Sequence, residues 1–275
     1  MEFRVAILSS FFRALAKTGK VKSLTIKHLQ DCMRKELFAS ADFVAVRQRL
    51  RELHLMIATE SNETAPALDI DLHANSRGFD RSLPRFWLQP TTPQLTRLTL
   101  YSTECFWGVW PFTDLRAIPP FPKLVSLSLG NFTIAHDWQI DWVVSHGATL
   151  KELILDDCLI VTALRMDRSQ TAANFPEMAP LRPPKKDEDS EDSENSENSE
   201  DGHENDEEDG GGEDERDDVQ YLKEVDLRWY QVLDRFGTNL PLLQRFDMGS
   251  GDWQCGNAFE ERYDLKSQIP YGSIV

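Results

Sequence analysis

Ser190, Ser193, Ser196 and Ser199 recur every third residue inside SEDSENSENSED, and each is followed by Glu. A phosphate on one serine places about −1.5 to −2 charges three residues after its upstream neighbour. A kinase that reads acid at that position would therefore proceed from Ser199 backwards to Ser190. The alternative is that the serines only keep a solvated segment soluble. Other reactive side chains are scattered. Cys32, Cys105, Cys158 and Cys255 form no CxxC pair and stand at no ligand spacing from the six histidines, which fits small apolar residues in a reducing compartment. GxSxG, GxxxxGK[ST] and HExxH are missing, and Gly210 to Gly212 lie in acidic sequence rather than between a strand and a helix. These observations predict no catalytic residue, no metal, no cofactor and no enzymatic activity.

The charge is equally localised. The chain of 275 residues carries a formal net charge of −16, yet nineteen of its 46 acidic residues fall between Asp187 and Asp218. The remainder is close to neutral and offers no basic patch for nucleic acid. With EEDGGGEDE beside the serine run and Pro176, Pro180, Pro183 and Pro184 before it, this stretch reads as a disordered acidic insertion. No apolar run is long enough to span a membrane, and the expected location is cytoplasmic, nuclear or both.

The elements that position everything else repeat. In LKELILDDCLI, Leu150, Leu153, Leu155, Cys158 and Ile160 follow L-x-x-L-x-L-x-x-C-x-I, the leucine-rich-repeat strand frame. Leu153 and Leu155 share one face of a strand, and a unit of this kind cannot bury that face without neighbours. The frame recurs at Leu124 and Leu95, more weakly at Val21 and Leu50, and again at Leu222 and Leu243. Most spacings lie within the roughly 20–29 residues of such repeats. Strands are accordingly expected at 23–26, 52–55, 97–100, 126–129, 152–155, 224–227 and 245–248, in one parallel sheet.

Helical patterns alternate with these strands. Val5, Leu8, Phe12 and Leu15 make a stripe that ends before Gly19, and Phe43, Val46 and Leu50 follow Ser40 as N-cap. ALDIDLH reads as an extra strand, and a helix is expected near 81–88. Asp137 is the expected cap of a helix through Val144 that ends at Gly147, and QVLDRFGTNL is helix-like. Trp107, Trp110 and Phe112 could either form an exposed cluster or pack on the convex side. The resulting fold class is α/β, a leucine-rich-repeat-like solenoid with one parallel sheet on the concave side and helices on the convex side. Residues 1–160 would form its N-terminal part, 161–218 the acidic insertion and 219–275 the repeats that complete it.

Alternate strand positions point away from the leucines and gather a varied face. Its candidate protein-binding residues are Lys27, His54, Met56, Arg97, Tyr101, Ile154, Asp156, Asp226, Arg228 and Asp247. A surface of this kind, without a reactive group, suits protein recognition.

LTRLTLYSTECFWG, LVSLSLGNF, LKELILDDC and the closing SGDW…AFEERYDL resemble the repeat region of fungal F-box proteins. That resemblance implies a substrate-receptor module that selects proteins for ubiquitination, and the chain itself is expected to be a monomer. A Skp1-type adaptor would be a partner if an F-box is supplied upstream, because no LPxE-type segment stands before Val21. The chain is also similar to acidic leucine-rich-repeat proteins that bind histones, although in those the acidic tract follows the last repeat.

Overall fold

Six of the seven leucine frames become strands of one parallel sheet. In a computed structural model, which describes residues 2–30, 35–58, 82–102, 108–109, 113–166 and 221–249, β1 (Ser23–Gln30), β2 (Glu52–Ala58), β3 (Arg97–Ser102) and β4 (Ser126–Gly130) pair in parallel and in sequence order. After the short β5 (Thr133–Ile134), β6 (Glu152–Asp156) pairs with β4. Leu53, Leu98, Leu127 and Leu153 stand in one register row, and Leu55, Leu100, Leu129 and Leu155 in the next. All eight are buried, as are Leu50, Leu95, Leu124 and Leu150, the residues that open each frame.

In the parallel sheet the entry to each strand after β1 is fixed by one carbonyl that accepts two amides from the next strand's entry. Lys22 O takes the N–H groups of Arg51 and Glu52, Arg51 O those of Thr96 and Arg97, and Thr96 O those of Val125 and Ser126. Val125 O takes those of Lys151 and Glu152. Lys151 O then receives Gln244 and Arg245, so β10 (Arg245–Gly249) lies directly beside β6.

That placement corrects the expected strand at 224–227. β7 (Leu159–Ile160) pairs with β5, and the chain then forms β8 (Ala163–Met166), which runs antiparallel to β9 (Tyr221–Glu224). Residues 225–228 form no strand. The place next to β6 holds only one strand, and β10 follows a helix as the other strands do, whereas Leu222 is committed to the hairpin. The hairpin belongs to a compact unit of its own, Ala163–Glu224. Met1–Thr162 and Val225–Val275 make the other unit.

The helices follow their stripes. α1 (Glu2–Thr18) buries Phe12 and ends at Gly19, whose φ of 64° suits a residue without Cβ. After α2 (Lys35–Ala39), α3 (Ala41–Arg47) starts at Ser40, whose side chain accepts the Phe43 N–H at 3.2 Å. Phe12 meets Phe43 at 5.0 Å between ring centroids, and Phe43 meets Trp87 edge-on at 4.9 Å. Trp87 comes from a π-helical turn at Leu83–Leu88, where a helix was expected. The buried Arg47 donates to Phe86 O, and Arg49 donates to Leu15 O at 2.8 Å, which holds α1 against this cluster.

α4 (Asp137–Val144) is not capped by Asp137. The N-cap position is His136, and the buried Gln139 folds back on the entry: its Oε1 accepts from Ala135 N at 2.7 Å and His136 N at 2.9 Å, while its Nε2 donates to Thr133 O. α5 (Trp229–Asn239) packs on α4. Gly147 allows this approach, since a Cβ there would overlap Asn239 O. The segments ALDIDLH, Trp107, Trp110 with Phe112, the acidic run Asp187–Asp218 and FEERYDL lie outside the described residues, whereas the first residues of the expected 161–218 insertion form β8.

Candidate recognition surface

Positions that alternate with the leucines form three register rows on the other face of the sheet. The first contains Ser23, Glu52, Arg97, Ser126, Glu152 and Arg245. Glu52 and Arg97 lie 3.7 Å apart, Ser126 Oγ donates to Glu152 Oε1 at 2.8 Å, and Arg245 reaches Glu152 at 3.5 Å and Asp247 at 2.6 Å. The row is a fixed sequence of opposite charges, and the Arg97 and Arg245 side chains are 53% and 59% exposed. Arg97 and Asp247 were expected on this surface. The pairing of Glu52, Glu152 and Arg245 depends on register, although the same frame position reads Glu, Arg, Ser, Glu in successive middle repeats.

The second row runs Thr25, His54, Thr99, Ser128, Ile154, Asp247. Its centre is closed to solvent: His54, Thr99, Ser128 and Ile154 are buried, whereas Thr25 and Asp247 on the outer strands are half-buried. His54 Nδ1 is 2.8 Å from Thr99 Oγ1. Burial pushes the His54 imidazole below its usual range, with Glu52 pulling the other way and Arg97 adding to the depression.

The third row holds Met56, Tyr101, Gly130, Asp156 and Gly249. Tyr101 and Asp156 are buried and Met56 is half-buried. Gly130 has no alternative here, because a Cβ at that position would fall within the Tyr101 ring. Lys27 lies in a bulge of β1, where the register shifts between Ile26 and Leu29 and His28 takes a φ of 55°. Of the residues expected to present side chains to a partner, His54, Tyr101, Ile154 and Asp156 are thus withdrawn from solvent. Asp226 and Arg228 are not in the sheet at all. The Arg228 guanidinium donates to Val225 O at 2.7 Å, and its backbone N–H donates to Gln231 Oε1 at the start of α5. Ser190, Ser193, Ser196 and Ser199 lie outside the described residues.

No known protein family, characterised protein or solved structure matches the chain. The resemblance to F-box repeat regions gains no support from these comparisons.

The turns after the strands carry features that the frame only half announced. Asn131 and Asp157 follow β4 and β6 with φ of 55° and 51°, and their N–H groups donate to Asp156 O and Gly249 O, each at 2.8 Å. Asn131 Nδ2 also donates to Ser102 O at 2.7 Å, and Cys158 Sγ lies 3.4 Å from Leu129 O. In both cases a side chain in the bend bonds to the preceding strand. Burial pushes the Cys158 thiol up to about 12, so it is a structural donor and not a nucleophile. Among the described residues no group of three His, Cys, Asp or Glu could hold a metal ion, and no helix is long and apolar enough to cross a membrane.

Proposed function

We propose that this chain is a protein-recognition module, a leucine-rich-repeat-like solenoid that reads its partner with the charged row at the strand entries. The observation that carries this reading is the register-locked series Glu52, Arg97, Ser126, Glu152, Arg245. The sheet holds these charges at fixed spacing, so a partner with the complementary order loses little entropy on binding. In its specific form, the module is an F-box-type substrate receptor that selects proteins for ubiquitination, with the F-box supplied upstream.

The test is affinity capture with the full chain and with an Arg97→Glu, Arg245→Glu variant of equal thermal stability. Under this reading the variant loses the captured protein, and a Skp1-type adaptor co-purifies when the upstream sequence is present. Identical captured proteins from both chains would overturn the role of the row. The acidic run favours a second reading, histone binding by Asp187–Asp218. That reading requires salt-sensitive binding that survives the Arg97 and Arg245 changes.

A further inference from the structure

Phe246 and Met248 in β10 stand in register with Leu153 and Leu155 of β6, on the leucine face of the sheet. Every interior strand buries its two counterparts completely or nearly so, but Phe246 is 36% and Met248 49% exposed. Leu233 of α5 and Leu242, which precedes β10, are also exposed. Among the described residues Phe246 has one edge-on ring neighbour, Phe236 at 5.9 Å. The backbone is open as well. Arg245 N and Gly249 O bond toward β6, and strand alternation then turns the N–H and C=O of Phe246 and Met248 to the outer side. Apolar core positions and a strand edge that no described residue pairs with coincide here, which marks a face built to be covered.

We propose that residues 250–275 of the same chain cover this edge. They leave β10 at Gly249 itself, so closure costs little entropy. Their length is about that of one repeat, roughly 20–29 residues. They also bring Trp253, Phe259, Tyr263, Leu265 and Ile269. The acidic segment 187–218 is the wrong chemistry, because it would have to desolvate carboxylates against phenylalanine and methionine. The proposal is independent of which partner the charged row selects.

Amide hydrogen exchange on the full-length chain tests it. The outward amides of Phe246 and Met248 are expected to exchange at least about 100-fold more slowly than an unprotected amide, at concentrations where the chain is monomeric. A full-length Phe259→Asp, Tyr263→Asp, Leu265→Asp chain should lose that protection, while the Leu127 and Leu153 amides keep theirs as a control for folding. Unprotected Phe246 and Met248 amides in the monomeric wild-type chain would overturn the proposal. So would protection that appears only when the chain dimerises, which would make a second copy the cover, or protection that survives the triple change.

Discussion

The two ends of the sheet solve the same problem differently. At the first strand Leu24 is buried, and the chain before β1 forms α1, whose Phe12 enters the aromatic cluster of Phe43 and Trp87. Arg49 ties α1 to the turn before β2 through Leu15 O. At the last strand, by contrast, the positions equivalent to buried leucines are exposed, and the described chain supplies nothing beyond them. An open parallel sheet leaves an edge and part of its apolar face at each end, and chain from elsewhere must cover them. The N-terminal end shows what such a closure contains: a short aromatic cluster and one buried arginine hydrogen-bonded to backbone.

Truncations give the largest expected effect and test the comparison directly. Phe12→Ala or Phe43→Ala should destabilise the chain by about 3–5 kcal/mol, and Leu153→Ala by about 2–5 kcal/mol, measured by urea unfolding. Phe246→Ala separates the alternatives at the other end. With residues 250–275 over β10, its cost should approach that of Phe12→Ala. In the Phe259→Asp, Tyr263→Asp, Leu265→Asp background it should fall below about 1.5 kcal/mol, the range of a part-exposed side chain. Equal costs in the two backgrounds would mean that the ends are closed by unrelated means.

The bends after the strands rank next. Asn131→Ala forfeits a side-chain hydrogen bond to Ser102 O and forces a left-handed φ on a residue with a plain Cβ, a loss of about 1–3 kcal/mol. Asp157→Ala, one step nearer the C-terminal edge, should lose chiefly the backbone part. Asp157→Gly should be neutral or stabilising. If the two alanine variants lose the same amount, the Ser102 bond contributes nothing measurable.

The leucine frame was enough to place six strands, because burying a period-two apolar pair leaves one register per unit. It was not enough to reject Leu222 as a seventh. LKEVDL satisfies the frame as well as LQRFDM does, and the difference lies in what each segment meets: Leu222 pairs back on β8, while Gln244 and Arg245 of the other segment bond to Lys151 O. The candidate face was legible as alternate positions but not as a surface. Alternation says that His54, Tyr101 and Asp156 point away from the leucines, and burial depends on what else lies there, which no local pattern encodes. Similarly, Asp137 reads as an N-cap, yet the helix starts one residue earlier, at His136, whose own N–H is taken by Gln139 folding back.

The interior also differs from the edge in its response to acid. Burial lowers the pKa of His54 and of His146, the latter against upward pulls from its hydrogen bonds with Val143 and Trp142. His146 sits between the Phe121 and Trp142 rings at 5.8 and 4.8 Å. For a histidine whose folded pKa lies below its unfolded value near 6.5, stability is complete above that value and is lost as pH falls toward the folded pKa. Each group can contribute up to about 1.4 kcal/mol per pH unit in that window. Urea midpoints at pH 7.5 and 5.5 should therefore differ, and His54→Gln should shrink the difference. An unchanged difference would place the acid sensitivity elsewhere, with His146→Gln as the next variant to compare.

The smallest stability effects belong to the charged row, which makes it the cleanest place to separate folding from recognition. Arg97 and Glu52 are 3.7 Å apart with much of both side chains in water, a geometry in which solvent screening leaves little net attraction. Arg97→Ala should change stability by less than about 0.5 kcal/mol, and Glu152→Ala should do little more, although it also gives up the Ser126 hydroxyl. Arg245→Ala acts at the strand that residues 250–275 are proposed to cover, so its effect should remain equally small only if the charged face stays clear of that cover. A loss above about 1.5 kcal/mol for Arg245→Ala, with Arg97→Ala still silent, would show that the covering segment reaches around β10 onto the charged row. The row would then be interrupted at its last position, and recognition would be confined to Glu52, Arg97 and Glu152.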